Sequence, residues 1–178
     1  MASRLVDRRE FQERFEAWLS SIREGLARDG HTWALVGVKR RGAVLAQRLR
    51  KRLESEVAPL YYGEVDISLY RDDYRLQSSR ARVLGTEIDF DVEEKSILLV
   101  DDVLYTGRTV RAAMDLILDF GRPRVILLAV FVDRGHRELP IAADFVGMRI
   151  RTSREDLVRV RLDELSEEDG VELIRLLP

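Results

Sequence analysis

The chain has no cysteine, which excludes disulfides, thiolate catalysis and cysteine-held metals. No apolar run approaches the length of a membrane span. The opening residues, M-A-S-R-L-V-D-R-R-E, are too charged for a secretory signal, so a soluble cytoplasmic protein with no membrane partner is expected. Low-complexity tracts, linkers and internal repeats are absent as well. Net charge is small: 30 basic against 32 acidic residues leave −2 at pH 7, with a pI near 5.8. Nothing global draws such a chain to nucleic acid, although a local basic face stays open. Histidine is scarce, with two copies. His31 sits beside Gly30 in a turn and reads as incidental, and His136 reads as a structural hydrogen-bonder, because nothing around it calls for a histidine general base.

What is present is globular. Hydrophobic residues make up 46% and charged residues 35% of 178 positions, enough to bury a real core, so a single domain over 1–178 is expected. Phe11, Phe15, Trp18, Ile22 and Leu26 recur at helical spacing and predict an amphipathic helix from Arg8 to Ala27, ended near Gly30. Trp33 to Val38 reads as a strand and Ala43 to Leu53 as a second helix. The aromatic stripe, Trp33 and this second helix are read as core or subunit contact. Two strand-like pieces follow between Leu60 and Tyr70. Arg71 to Glu87 is polar and irregular, a long exposed loop of the kind that is functional or disordered. A strand at Ile97 to Val100, a helix from Thr109 to Phe120 stopped by Gly121, and a strand from Val125 to Val132 form a right-handed parallel unit. Short strands near Ala143 to Ile150 and Leu157 to Leu162, then a short helical tail, complete the expected α/β architecture.

The densest chemistry lies in Ser96 to Thr109, S-I-L-L-V-D-D-V-L-Y-T-G-R-T. Its apolar run suits a parallel strand covered on both faces. Asp101 and Asp102 fall where that strand ends, which is where open α/β sheets bind ligands. Thr106, Gly107, Arg108 and Thr109 then open a helix, where free N–H groups and the helix dipole favour an anion. Two carboxylates for sugar hydroxyls beside a phosphate cradle describe a site for a phosphorylated sugar. Lys39, Arg40, Arg41 and Gly42 likewise sit between a strand and a helix, and Asp133, Arg134, Gly135, His136 and Arg137 follow the second long strand.

The run V-D-D-V-L-Y-T-G-R-T resembles the phosphoribosyl pyrophosphate (PRPP) signature of type I phosphoribosyltransferases. With V-G-V-K-R-R-G at Val36 to Gly42, D-I-S-L-Y-R-D-D at Asp66 to Asp73 and V-D-R-G-H-R-E-L-P at Val132 to Pro140, it is more closely similar to the PyrR family of pyrimidine-operon attenuation regulators that are also uracil phosphoribosyltransferases. The resemblance covers nearly the whole chain beyond the first helix. It implies the type I phosphoribosyltransferase fold, a central mostly parallel sheet flanked by helices, with a small hood and a flexible flap loop at about 71–88. It implies Mg²⁺, carried on PRPP with Asp101 and Asp102 the nearest carboxylates, and a homodimer or larger homo-oligomer. By the same resemblance, Val103, Leu104, Tyr105, Thr106, Gly107, Arg108 and Thr109 would hold the 5-phosphate. Asp101 and Asp102 would take the ribose hydroxyls and steady the ribosyl cation. Lys39 to Gly42 would hold pyrophosphate, although the family usually has a hydroxyl residue where Arg40 stands. Tyr70, Arg71, Asp72 and Asp73 would begin the flap that excludes water, with Arg71 on pyrophosphate. Val132, Asp133, Arg134 and Arg137 would border the base.

The chain departs from the family where RNA is concerned. The family's first helix normally carries clustered arginines with a threonine and a histidine; here it reads F-Q-E-R-F-E-A-W-L-S-S, with Arg14 between Glu13 and Glu16. Alternating acids defeat the clustering of cations that phosphates require. Ala142 and Met148 stand where relatives usually place basic residues. Arg149, Arg151 and Arg154, with Arg159 and Arg161, form an arginine-rich strip that suits either RNA or a solvated edge. The leading expectation is an enzyme that makes UMP and pyrophosphate from uracil and PRPP. The alternatives are a uridine-nucleotide sensor, for UMP or UTP, that binds a pyrimidine-operon leader mRNA, and a phosphoribosyltransferase for another base.

Overall fold

The computed structural model describes residues 2–27, 30–68, 85–165 and 167–175. Continuous apolar sequence builds a five-stranded parallel sheet: β2 (Trp33–Val38), β3 (Leu60–Val65), β4 (Ser96–Leu104), β5 (Val125–Asp133) and β6 (Phe145–Arg149), in the order β3-β2-β4-β5-β6. Side chains alternate across it. Leu35, Leu98, Val100 and Phe131 face a core shared with α1 (Arg8–Ala27) and α2 (Arg41–Leu53). Val36, Ile97, Leu99 and Val130 face α3 (Arg108–Leu118). Phe11, Trp18, Leu19 and Ile22 on α1 are buried, each contributing about 1.5–3 kcal/mol by burial.

The chain runs from β2 through α2 to β3 on one side, and from β4 through α3 to β5 on the other. The strand order therefore reverses between β2 and β4, which opens a crevice at their carboxyl ends. The Lys39 to Gly42 turn leaves one of these strands, and the acid pair rides on the other.

A second sheet caps one side of that crevice. It is antiparallel, in the order β1-β8-β7, from β1 (Ala2–Val6), β8 (Gly170–Ile174) and β7 (Leu157–Arg161); a short 3-10 turn spans Asp163–Leu165. This is the hood. The expected helical tail is overturned here, because Val171 and Leu173 point into the core with Glu172 between them, a strand alternation, and β8 is hydrogen-bonded on both sides. Strand β1 carries no sequence signal of its own, with four of five residues exposed. Three other bounds shift. Helix α2 begins at Arg41 and α3 at Arg108, each two residues or less before the expected start. Strand β4 runs on to Leu104, so the acid pair lies inside the strand instead of beyond it. Of the two strand-like pieces after Leu60, β3 ends at Val65 and Ile67 is buried outside any strand. Most of the long loop, with Tyr70, Arg71, Asp72 and Asp73, lies outside the described residues.

Candidate active site

The crevice is a cleft of about 1040 Å³ lined by the β2–α2 turn, Asp66 to Ser68, the end of β4, the 105–109 loop and two residues of β7. Asp101 is buried and accepts a hydrogen bond at Oδ1 from the Asp102 N–H at 2.9 Å. Asp102 is half-buried in the same cleft. Burial pushes its carboxyl above the ordinary carboxylate range, while the hydrogen bond with Asp101 and the charge of Arg41 pull against that rise.

Close packing explains how α2 reaches this pair. A Cβ on Gly42 would lie 2.5 Å from the Val100 carbonyl oxygen and 3.0 Å from the Asp101 Cα. Only glycine lets the helix start rest directly on the acid-bearing strand. The cations of this turn then divide. Lys39 Nζ lies 2.9 Å from Glu87 and 3.5 Å from Glu64, and the bond to Glu87 raises its pKa. Arg41 Nε donates to the Val160 carbonyl of the hood at 2.7 Å. The Arg40 side chain is exposed, lines the cleft and has no hydrogen bond or ion pair among the described residues. Asp66 faces it; the Ser68 hydroxyl and N–H hold the Asp66 carboxyl below its usual range, aided by the charges of Lys39 and Arg40.

The phosphate cradle is a glycine turn. Gly107 sits at φ +92° as the N-cap of α3, with no side-chain cap of its own, so the N–H groups of Thr109 and Val110 in the first turn are left for a ligand. Thr106 supplies its Oγ to the Arg108 N–H at 3.3 Å, and Thr109 lines the cleft beside it. Leu104, expected in the same run, turns its side chain into the core against α3. Tyr105 is clamped: the Arg134 guanidinium stacks 4.1 Å from its ring centre and its hydroxyl donates to the Arg154 carbonyl at 3.1 Å.

Of the residues expected beside the base, Arg134 alone lines the cleft among the described residues. Val132 is fully buried in the core on the α1 side. Neither it nor Asp133 nor Arg137 lines the cleft. The Arg137 guanidinium donates to the carbonyls of Tyr105 at 2.7 Å, Gly135 at 3.1 Å and Ile141 at 3.1 Å, and pairs with Asp133 at 2.6 Å. It fastens the 105–109 loop to the 133–141 segment. Arg134 does reach the cleft, yet it is buried and its donors go to Asp156 O, Ser153 O and Thr152 Oγ1. His136 bonds the Thr152 carbonyl at 2.7 Å, a structural contact. Arg137→Leu should therefore cost about 2–3 kcal/mol, since it leaves a part-buried carboxylate unpaired, read as a lower midpoint in urea unfolding.

Two lining residues that the sequence did not single out are Leu157 and Val158 of β7, which face the cleft from the hood. L-V-R-V-R alternates clearly enough to mark a strand, but no pattern says that its edge overhangs a site. The arginine strip emerges on the surface. Arg149, Arg151 and Arg159 are exposed without ion pairs among the described residues, whereas Arg154 lies 3.8 Å from Glu138 and Arg161 pairs with Glu172 at 2.6 Å. On α1, Arg9, Arg14 and Glu16 are all engaged in ion pairs. No described helix is long and apolar enough to cross a membrane.

Comparison with known proteins agrees with this geometry. The phosphoribosyl transferase domain family matches residues 1–164. The Bifunctional protein PyrR of Bacillus mycoides (strain KBAB4) is 54% identical over 142 residues, covering 78% of this chain and 79% of that protein. A hypoxanthine phosphoribosyltransferase from Staphylococcus aureus superposes with a TM-score of 0.66 at 20% identity, over 88% of this chain and 80% of that one. A hypoxanthine-guanine phosphoribosyltransferase from Bacillus anthracis gives 0.65 at 17% identity, over 87% and 84%. At that identity the two structures share the fold.

Proposed function

The chain belongs to the phosphoribosyltransferase family, in its PyrR branch, and on that premise we propose that it is a cytoplasmic uracil phosphoribosyltransferase that converts uracil and PRPP to UMP and pyrophosphate. Uracil N1 attacks ribose C1, the bond from C1 to the pyrophosphate oxygen breaks with its electron pair, and the N1 proton is released. Asp101 and Asp102 accept the ribose hydroxyls and face the cation that develops at C1. The 106–109 turn holds the 5-phosphate, and Arg40 meets the departing pyrophosphate. Mg²⁺ fits this donor set: Asp66, Asp101 and Asp102 are the carboxylates lining the cleft, and a hard cation prefers phosphate oxygens, water and one or two carboxylates. Bound with PRPP, it would neutralise leaving-group charge.

The observation that carries the base assignment is the free edge of β7. Val160 turns its carbonyl toward Arg41, away from β8. By the two-residue alternation of a strand, Val158 turns its own N–H and C=O to the same side, into the cleft it lines. A donor beside an acceptor complements the imide edge of uracil. Arg149 and Arg151 support a second activity, contact with a pyrimidine-operon leader RNA controlled by UMP or UTP. The apolar Leu118 and Phe120, exposed at the end of α3, suit a homo-oligomer contact.

Pyrophosphate release from PRPP and Mg²⁺ should occur with uracil and not with hypoxanthine. Release with hypoxanthine alone would reassign the base. Silence with every base, but with UMP still bound, would leave a nucleotide sensor. A leader RNA titration in parallel should tighten with UMP and weaken steeply with salt if the strip binds RNA.

A further inference from the structure

The β2–α2 turn presents three consecutive cations to one cleft, yet they are not equivalent. Arg41 is drawn out of the turn and onto the hood. Its Nε holds the Val160 carbonyl at 2.7 Å and its Nη2 lies 3.6 Å from Glu167 Oε2. That carboxylate oxygen is buried and has no hydrogen bond of its own; the Arg41 charge balances it together with that of Arg161, and swinging away would weaken that balance. One helical turn of α2 therefore touches both halves of the site. At Gly42 it rests on the Val100 carbonyl and Asp101; at Arg41 it grips the β7 edge two residues from Val158. Seven residues on, along the same face of α2, Arg48 holds the far end of the hood through Asp169 at 2.8 Å and Glu164.

We propose that Arg41 is a positioning residue that mounts the hood over the ribose site, fixing the separation between the base seat at Val158 and the acid pair at Asp101 and Asp102. Of the three cations, Arg40 is then the one left to meet pyrophosphate, because Lys39 is held by Glu64 and Glu87. The inference deepens the proposed function and rests on it, since the base must sit against the hood for the mount to matter. A planar guanidinium suits this role, since it donates to a strand-edge carbonyl while presenting its charge to a carboxylate, which a lysine does less well.

The test crosses two variants, with steady-state kinetics and calorimetry on the full chain. Arg41→Gln should raise the KM for uracil and weaken UMP binding by about tenfold, the scale of one charge-assisted contact. The KM for PRPP should rise several-fold less than that for uracil, since Arg41 reaches the ribose site only through its charge on Asp102. Arg40→Ala should do the reverse, raising the PRPP KM and weakening pyrophosphate while sparing uracil. Arg41→Lys should recover part of the uracil KM, and Glu167→Gln should reproduce a weaker form of the Arg41→Gln effect without touching the turn. A thermal melt of each variant separates lost positioning from lost folding. Arg41→Gln that weakens PRPP and pyrophosphate but leaves uracil unchanged would overturn the proposal and make Arg41 an ordinary pyrophosphate ligand. Wild-type protein that binds neither UMP nor PRPP would instead sink the functional reading itself, and this inference with it.

Discussion

Asp102→Asn should abolish nearly all turnover, by about 10²–10³-fold or more, because an amide cannot offer the charge that a developing cation requires. The same change should leave the fold as stable as before. Burial raises the Asp102 carboxyl above its unfolded-state pKa, so folding opposes its ionisation. Such a group leaves the protein steadier below its unfolded pKa and gives stability up as pH rises through the folded one. Asparagine carries no such charge, so the variant should melt no lower than wild type at pH 8, and any gain should shrink toward acid pH. Calorimetric melts at pH 5 and pH 8, set beside a pyrophosphate-release assay, check both halves. A variant that lost stability and kept activity would show Asp102 to be a structural residue.

Gly107→Val should remove phosphate binding. At φ +92° a β-branched residue is strained by about 1–3 kcal/mol. Its Cβ would also press on Ile141 Cδ1 at 3.3 Å and Leu139 Cβ at 3.4 Å. The turn must then open, and opening it misaligns the first N–H groups of α3. Losing about 3 kcal/mol of oriented hydrogen bonds lowers affinity roughly 100-fold. UMP and PRPP titrations should show that loss equally, since both ligands carry the 5-phosphate, whereas pyrophosphate alone should bind as in wild type. Retention of UMP affinity within a few-fold would mean that the turn does not carry the phosphate.

The phosphate turn and the acid pair were legible because their chemistry is local. A parallel strand buried on both faces announces itself as an apolar run, and the acids, hydroxyls and glycine that follow it occupy consecutive positions. The Lys39 to Gly42 turn was legible as a part of the cleft for the same reason. What each cation does there was not, since Arg41 is claimed by Val160, 119 residues away. The partners of the segment expected at the base were hidden for a related reason. Val132 to Arg137 follows a strand at the correct edge of the sheet, so its polar groups resemble ligand contacts. Arg134 and Arg137 instead satisfy carbonyls of neighbouring loops, which sequence order does not reveal. Strand β1 was missed because it is mostly exposed and pairs with β8 from the far end of the chain, and β8 because five residues, Gly170–Ile174, are too few for its alternation to stand out from a short helix.

Ser3 bonds to Leu173, 170 positions onward, and that distance governs the order of assembly. The parallel sheet is built from two strand–helix–strand units joined where β2 pairs with β4, and all of its strands end by Arg149. The hood cannot begin until the last strand has left the ribosome, because its central member is β8. During synthesis the crevice between β2 and β4 can therefore exist before the hood that caps it. On the proposed function, the grip on phosphate precedes the choice of base.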